Sequence, residues 1–406
     1  MKAYVVNRLQ DGTLMRVKMT QFPMRIIASL CVLLAASGTA LAQGLPPSVT
    51  EPYVAYQTAM EAGDYAAAET AADLAWRAGE SADIDLATTG LLADNYAQLA
   101  HRAGHYSEAV RGYMRSAEIL TELNDDPFLI AQTWRLAAQS AYIGSDSERA
   151  SSLADRAGDM FEGLPAGRDR SMELYRARLI QSYVNWEGGL IMPAGARAIE
   201  AIEALEDAGG DATPDTANLF FYAAIRYANE RDNLEAAYYF SIANYIWRSM
   251  EIDGEAQTIA NEWARYARRE IEDDELDELV LRLSDSPYRP LGFTPEDDDD
   301  DTGTDWRAAY PDAQTYTRAI PSRRRPPQYP AQMMAAGFQG VALMQFDVTE
   351  TGETKNIRVL FSVPHSDFGE SAERAVRRWR YEPARVDGVA VPRQNVVTTV
   401  EYRMAE

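Results

Sequence analysis

The chain contains PPQYPA at residues 326–331 and RRWRYEP at residues 377–383, and the stretch between these two motifs decides the fold of its C-terminal part. Pro330 is well placed as the first residue of a short helix, because the fixed φ of proline suits the first helical turn. Gly337 follows as the stop, because glycine accepts the left-handed backbone at a helix C-terminus. The sequence therefore predicts a short helix between Pro330 and Gly337.

A β-hairpin is predicted next. Residues 341–349 alternate with a period of two, which places Ala342, Met344, Phe346 and Val348 on one face. Val341 and Leu343 start the other face, so a mostly buried strand is predicted. A turn at Thr351-Gly352-Glu353 and a second strand over about residues 355–363 complete the hairpin.

A helix and a last strand follow the hairpin. The helix has an apolar stripe on one side and charged side chains on the other. The stripe consists of Phe368, Ala372, Ala375, Val376 and Trp379. Asp387-Gly388 predicts a turn, and residues 395–403 alternate between an apolar and a mixed face, which predicts a strand. The C-terminal part is therefore a small α+β unit of order ββαβ after its short lead helix.

The two motifs and their spacing resemble the C-terminal domain of TonB-type energy transducers, over roughly residues 319–406. In that family, the domain captures the short periplasmic peptide of an outer-membrane TonB-dependent transporter by adding the peptide as a strand beside its own last strand. The resemblance implies the same partner and the same mode of binding here. The implied partner-binding residues are Gln328, Tyr329, Pro330, Val396, Val397, Thr398, Thr399, Val400, Glu401 and Tyr402.

The last strand has no later strand to pair with, so one of its sides is expected to keep open N–H and C=O groups. Tyr329 has two interpretations. In the first, the loop Gln328-Tyr329-Pro330 contacts the peptide. In the second, Tyr329 packs against Trp379 and only stabilises the fold.

The first 42 residues are predicted to be a secretory signal. Residues 26–36 are mostly apolar, and Ala40-Leu41-Ala42 is a small-residue cleavage site before Gln43. Cleavage after Ala42 predicts an exported, periplasmic protein. In the alternative, residues 26–42 stay as an inner-membrane anchor, because a stretch of 17 uncharged residues reaches the lower limit for crossing a bilayer.

Charge and cysteine content exclude several classes of partner. Residues 43–318 hold 22 Lys and Arg against 51 Asp and Glu, a net charge of −29. A body this acidic repels nucleic acid, so no nucleic-acid partner is predicted. The single cysteine, Cys31, lies in the signal, and the mature chain therefore carries no thiol for a disulfide or a metal site.

A repeat runs through the helical part of the chain. Its copies are Gly63-Asp64, Gly104-His105, Ser145-Asp146, Gly189-Leu190 and Asp232-Asn233. Each copy is followed by an alanine and is predicted to mark the turn between two antiparallel helices. The pattern resembles tetratricopeptide-like hairpins, with a period of 41 to 44 residues. About five hairpins are predicted, with one last helix over about residues 255–283.

Stacked hairpins form a solenoid with a concave surface that binds peptides in many such proteins, so a further protein or peptide is a predicted partner of the repeats. Aromatic residues are frequent near the end of this part. They are Tyr222, Tyr227, Tyr238, Tyr239, Tyr245, Trp247, Trp263 and Tyr266. These rings either fill gaps between helices or line a peptide groove.

The domain organisation follows from these patterns. The predicted parts are a signal peptide at 1–42, an all-α tetratricopeptide-like solenoid at 43–284, an acidic linker at 285–318 and the α+β domain at 319–406. The linker contains prolines and the acidic run 296–301, which bury no apolar area, so we expect disorder that lets the last domain move beside the repeats. The acidic run lacks the glycine and the spacing of a calcium loop.

No catalytic, cofactor or metal site is predicted. His101 and His105 lie four residues apart, but Gly104 ends the helix between them and no nearby acid completes a zinc motif. Both histidines are expected to be exposed to solvent at a helix end. The chain also lacks a phosphate-binding glycine loop and a GxSxG motif, so an enzyme is not predicted.

Two binding functions therefore compete. In the first, the C-terminal domain binds the transporter peptide and supports transport across the envelope. In the second, the protein is a periplasmic scaffold without an energy input, whose repeats hold the main partner while the C-terminal domain docks it to an envelope complex. Energised members of the family contact a proton-driven inner-membrane motor through an uncleaved helix that carries a histidine. Residues 26–42 contain no histidine, which argues against contact with such a motor.

Overall fold

The computed structural model describes residues 45–82, 84–288 and 309–404. The predicted signal with its cleavage site after Ala42 lies outside the described residues, as does the acidic run 296–301. Within the described chain, no helix is long and apolar enough to cross a membrane.

The described residues form two compact units. The first holds the described residues up to Gly188 together with Arg197–Gly210, and the second holds Gly189–Ala196 together with the described residues from Asp211 on.

Twelve helices follow one another in the described chain up to Asp285. They are α1 (Pro47–Ala62), α2 (Tyr65–Ser81), α3 (Leu86–Ala103), α4 (Tyr106–Glu122), α5 (Pro127–Ile143), α6 (Ser147–Glu162), α7 (Arg168–Glu187), α8 (Ile191–Asp207), α9 (Pro214–Glu230), α10 (Asn233–Ser249), α11 (Glu255–Arg269) and α12 (Asp273–Asp285). Helix α1 packs on α2, α3 on α4, α5 on α6 and α9 on α10, which confirms the predicted solenoid of helical pairs.

Each of the five copies of the repeat lies between the end of one helix and the start of the next. At each copy one residue takes the left-handed backbone, which is a common way to end a helix. These residues are Gly63, Gly104, Ser145, Gly189 and Arg231. An alanine near the start of the helix that follows each copy is fully buried. These alanines are Ala68, Ala109, Ala150, Ala194 and Ala237.

The predicted single helix at 255–283 is wrong, because the structure has two helices, α11 and α12, with a break at residues 270–272. Glu272 caps α12: its side chain accepts from a backbone N–H of the first turn, and its own N–H donates to Glu275 Oε2 at 3.0 Å. Such a capping box satisfies donors that a helix start leaves open. The acidic first turn of α12 also suits the positive end of the helix dipole.

A buried ion pair joins α5 to α7 in the first unit. Arg135 Nε donates to Glu173 Oε2 at 2.5 Å, and both side chains are buried. Arg176 donates to the other oxygen of the same carboxylate. Burial alone raises the pKa of Glu173, but the positive charges of Arg135 and Arg176 outweigh burial and leave its pKa below the ordinary value.

The C-terminal part contains eight strands and two helices between Tyr316 and Tyr402. They are β1 (Tyr316–Thr317), β2 (Ile320–Arg323), α13 (Ala331–Ala335), β3 (Gly340–Val348), β4 (Thr354–Val363), α14 (Ser366–Val376), β5 (Arg380–Glu382), β6 (Ala384–Val386), β7 (Val389–Val391) and β8 (Arg393–Tyr402). The largest sheet has the antiparallel order β4-β3-β8, and two smaller sheets pair β1-β6-β7 and β2-β5.

The predicted ββαβ order is confirmed by β3, β4, α14 and β8. Helix α13 begins one residue after Pro330, and Gly337 takes the left-handed backbone just beyond the helix end. Ala342, Met344, Phe346 and Val348 are all fully buried, under the apolar stripe of α14. The predicted turn at Asp387-Gly388 joins β6 to β7.

The five short strands were not expected, and two of them correct specific predictions. Tyr316 and Thr317 lie in the predicted disordered linker but pair with β6. Helix α14 ends at Val376, so Trp379 is not part of its stripe, although its side chain is buried. Residues 380–382 then form β5, because β2 offers them a partner strand.

The turn between β3 and β4 lies directly against β5. Gly352 has a φ of 80°, and its carbonyl accepts from the N–H of Tyr381 at 2.9 Å. A Cβ atom at Gly352 would lie 1.9 Å from the carbonyl oxygen of Tyr381. Only glycine fits this turn, which the sequence places correctly at residues 351–353.

Candidate functional site

Strand β8 forms one edge of the largest sheet. It pairs antiparallel with β3, with Val341 opposite Glu401 and Gln345 opposite Val397. In the order β4-β3-β8, its other side faces no strand of the described residues. Successive residues of a strand direct their N–H and C=O groups to opposite sides, so alternate backbone groups of β8 are open to a further strand.

The side chains of β8 follow the predicted alternation. Val400 and Tyr402 are buried against the core, and Val396 is half-buried beside it. Val397 and Thr399 on the other face are half-buried, and Glu401 is exposed. Because the core-facing side chains are already packed, a partner at this edge would meet mainly the backbone of β8.

Tyr329 links its loop to the end of β8. Its ring meets those of Phe368 and Tyr402 edge to face, with centroid distances of 5.9 and 5.7 Å. Its hydroxyl donates to the carbonyl of Phe338 at 2.6 Å. The structure therefore brings two of the predicted binding residues, Tyr329 and Tyr402, into contact.

The predicted packing of Tyr329 against Trp379 is corrected to packing against Phe368 and Tyr402. The reason is that α14 ends before Trp379, whose indole N–H donates instead to the carbonyl of Arg325 at 2.9 Å. Tyr402 is held firmly: its hydroxyl donates to the carbonyl of Phe368 at 2.9 Å, and burial raises its pKa to about 12.

The other two residues of the loop differ in their roles. The carbonyl of Gln328 accepts from the hydroxyl of Ser371 on α14, while the Gln328 side chain is exposed. Pro330 is the residue before α13. The loop is therefore fixed to the core through its backbone and presents the amide side chain of Gln328 to solvent.

Asp347 is a residue of this site that the sequence did not reveal. It accepts from the backbone N–H of Asn395 at 2.9 Å and from the side-chain amide of Asn356 at 2.6 Å. The register between β3 and β8 shifts between Phe346 and Val348, so Asp347 fastens the start of β8 at an irregularity. The only signal in the sequence is a carboxylate inside a mostly apolar strand.

The two histidines of the first unit do not converge on a common point. His101 Nδ1 lies 2.8 Å from Ser140 Oγ, whereas His105 Nδ1 lies 2.6 Å from Glu69 Oε1. The expectation that both are solvent-exposed is wrong for His101, which is half-buried, and burial lowers its pKa. Among the described residues, no group of three or more His, Cys, Asp or Glu could hold a metal ion.

The aromatic residues near the end of the repeats divide into two groups. Four are buried, namely Tyr222, Tyr245, Trp247 and Trp263. Four are half-buried, namely Tyr227, Tyr238, Tyr239 and Tyr266. Burial of Tyr222, Tyr245 and Trp247 supports the interpretation that these rings fill gaps between helices.

Comparison with known proteins identifies the domain that carries the β8 edge. The family model of the Gram-negative bacterial TonB protein C-terminal matches residues 325–404. TonB of Yersinia enterocolitica is 31% identical over 98 residues, which cover 24% of this chain and 36% of that protein. TonB of Escherichia coli K12 is 33% identical over 81 residues, which cover 20% and 31%. The match thus spans about a third of the length of these relatives.

Among solved structures, the C-terminal domain of TonB from Pseudomonas aeruginosa is 32% identical, with a TM-score of 0.20, over 22% of this chain and 90% of that chain. The family model matches the part of the chain in which the structure places the α13-β3-β4-α14-β8 order, and the curated relatives are TonB proteins. Residues 325–404 of this chain form a TonB C-terminal domain.

Proposed function

We propose that this chain is a non-enzymatic envelope protein of a Gram-negative bacterium that binds an outer-membrane TonB-dependent transporter. Its C-terminal domain takes up an extended periplasmic segment of the transporter as a strand beside β8, and so supports transport across the envelope. One observation carries this proposal: β8 is ten residues long and is paired on one side only among the described residues. The family of the domain, whose relatives are named TonB, supports the choice of partner.

The geometry of the edge determines how the segment would lie. An antiparallel segment begins beside Tyr402 and ends beside Arg393, because β8 runs from Arg393 to Tyr402. Its first residues then meet the loop Gln328-Tyr329-Pro330, where the amide of Gln328 is free to accept and donate hydrogen bonds. The proposed contacts are therefore the open backbone groups of residues 396–402 and this loop.

The proposed location is the periplasm, after cleavage behind Ala42. Purified from the native envelope, the protein is expected to have an intact mass that lacks residues 1–42 and to appear in the osmotic-shock fraction. A protein recovered only from membranes with Met24 still attached would contradict cleavage and would favour the inner-membrane anchor.

Proline substitutions separate the open side of β8 from its paired side. Proline lacks an N–H and breaks the ladder on the side to which that N–H points. Thr398 and Thr399 are adjacent, so their N–H groups point to opposite sides of the strand. In the chain from Gln43 onward, one of Thr398→Pro and Thr399→Pro is expected to weaken binding of a synthetic transporter peptide at least about tenfold with little change in Tm. The other is expected to lower the Tm by breaking the β3-β8 ladder.

The matched controls are Thr398→Val and Thr399→Val, which keep the N–H and the branched shape of threonine. Titration calorimetry measures the affinity, and thermal unfolding measures the stability. Unchanged peptide affinity in both proline variants, with the domain still folded, would contradict strand addition at this edge. The scaffold function would then be favoured if a chain lacking residues 319–406 still holds its main partner.

A further inference from the structure

The second face of the largest sheet is covered. Leu343 lies on β3 between Ala342 and Met344, so its side chain points to the face opposite the core of the domain. It is nevertheless fully buried. Helix α11 packs against both β3 and β4, and it therefore covers the face on which Leu343 lies.

An aromatic contact is part of this covering. The rings of Trp263 on α11 and Phe361 on β4 meet edge to face, with a centroid distance of 5.0 Å and an interplanar angle of 88°. Phe361 is the cross-strand partner of Leu343. Trp263 is only 2% exposed, whereas Phe361 is half-buried, so the contact lies at the edge of the buried region.

Polar contacts hold α11 at both of its ends. At its start, Glu255 lies 3.5 Å from Arg358 of β4. Just beyond its end, both oxygens of Glu270 accept from Arg403 Nη2 at 2.8 Å, directly after β8. The helix thus spans the sheet from the β4 side to the β8 side. At both ends a glutamate on the helix side faces an arginine on the sheet side.

A third polar contact comes from the preceding helical pair. Arg231 Nη2 donates to the carbonyl of Gln339, immediately before β3, at 2.9 Å. Residues 211–285 and the C-terminal domain also belong to the same compact unit. The covering helix lies outside residues 325–404, so it is not part of the matched family domain.

We propose that α11 is a third layer of the C-terminal domain in this chain and that Trp263 is a positioning residue for the domain. The surface is the second face of the β4-β3-β8 sheet, and its partner is helix α11 of the same chain. Because α11 contacts β3 and β4 while the outer side of β8 stays unpaired, docking closes the face and leaves the edge open. The open edge of β8 then has one fixed orientation relative to α11. The linker at 285–318 had instead been expected to let the domain move freely.

Hydrogen exchange in the chain from Gln43 onward tests this docking without any partner peptide. Trp263→Ala removes the aromatic contact and is expected to speed exchange of the amides of Leu343 and Phe361 at least about tenfold. Trp263→Phe keeps an aromatic ring and should restore most of the protection. The control is Trp134→Ala, since Trp134 is equally buried but lies on α5 in the first unit and is expected to leave the exchange of β3 and β4 unchanged.

A variant on the sheet gives the reciprocal measurement. Phe361→Ala should speed exchange of the indole N–H of Trp263. In the double variant with Trp263→Ala, the amide of Leu343 should exchange less than about twofold faster than in Trp263→Ala alone, because both substitutions remove the same contact. Unchanged exchange of Leu343 in folded Trp263→Ala, or of the Trp263 indole in Phe361→Ala, would overturn the docking. The docking stands on its own if exchange responds as expected while the peptide fails to bind, and in that case only the proposed strand addition falls.

Discussion

Gly352→Ala is expected to destabilise the C-terminal domain by at least about 3 kcal/mol, because two penalties add at this position. The left-handed backbone at φ 80° disfavours any side chain, and the new Cβ would lie 1.9 Å from the carbonyl oxygen of Tyr381. The blocking atom belongs to the backbone of Tyr381, so it cannot be moved aside by a change of side-chain rotamer. The turn and β5 would have to separate, and the hydrogen bond from Tyr381 to Gly352 would be lost.

The matched control is Gly388→Ala. Gly388 has a similar φ of 82°, but a Cβ there would meet no atom within 4 Å, so only the backbone penalty of about 1–2 kcal/mol applies. Native-state hydrogen exchange at the amide of Phe346 measures the stability of this sheet in both variants. Equal losses in the two variants would show that the close approach of Gly352 to Tyr381 contributes nothing.

Glu173→Gln is expected to destabilise the first helical unit by about 3–5 kcal/mol, because it leaves the buried Arg135 without its counter-charge. Arg135 is only 5% exposed. Urea unfolding followed by circular dichroism measures the loss. The control is Glu370→Gln on α14, whose partner Arg374 lies 3.8 Å away on the surface, and there we expect less than about 0.5 kcal/mol.

The carboxylate of Glu173 is also expected to make the stability of the first helical unit depend on pH. The pKa of Glu173 is lower in the folded chain than in the unfolded chain. Its contribution to the free energy of unfolding is therefore fully present above the unfolded pKa of about 4.3. The contribution is lost as the pH falls through the lowered folded value. The stability difference between the original chain and Glu173→Gln should therefore shrink below about pH 4. A difference that stays constant down to pH 2 would contradict the ion pair as its source.

The sequence predicts the helical pairs well because the turns between helices require the same residue types at the same spacing. A residue that accepts the left-handed backbone must be followed by a small residue that packs closely, as Gly63 with Ala68 and Gly104 with Ala109 illustrate. The break inside the predicted helix 255–283 was missed because its cause, the capping box of Glu272, lies within a run of acids that also suits a continuous helix.

In the C-terminal domain, the long strands were predictable and the short ones were not. Alternation over nine or ten residues identifies β3 and β8, and the turn at Gly352 identifies β4 as the second strand of the hairpin. A strand of two to four residues shows no period and depends on a distant partner, as β1 does on β6.

The edge position of β8 follows from the order of the strands, but the contacts around it do not. Asp347 reaches Asn395 across 48 positions of sequence. Tyr329 meets Tyr402 instead of Trp379 because α14 ends three residues before Trp379. Neither the pairing register nor the helix end is visible in local periodicity.

The central claim is that a transporter segment adds as a strand to the open side of β8, and amide hydrogen exchange tests it residue by residue. The measurement compares the chain from Gln43 onward with and without a synthetic transporter peptide. We expect alternate amides of residues 395–402, those that point away from β3, to slow at least about tenfold when the peptide binds, while the amides bonded to β3 stay as slow as before. Peptide binding that slows amides only in the helical repeats, and leaves every amide of β8 unchanged, would contradict the claim.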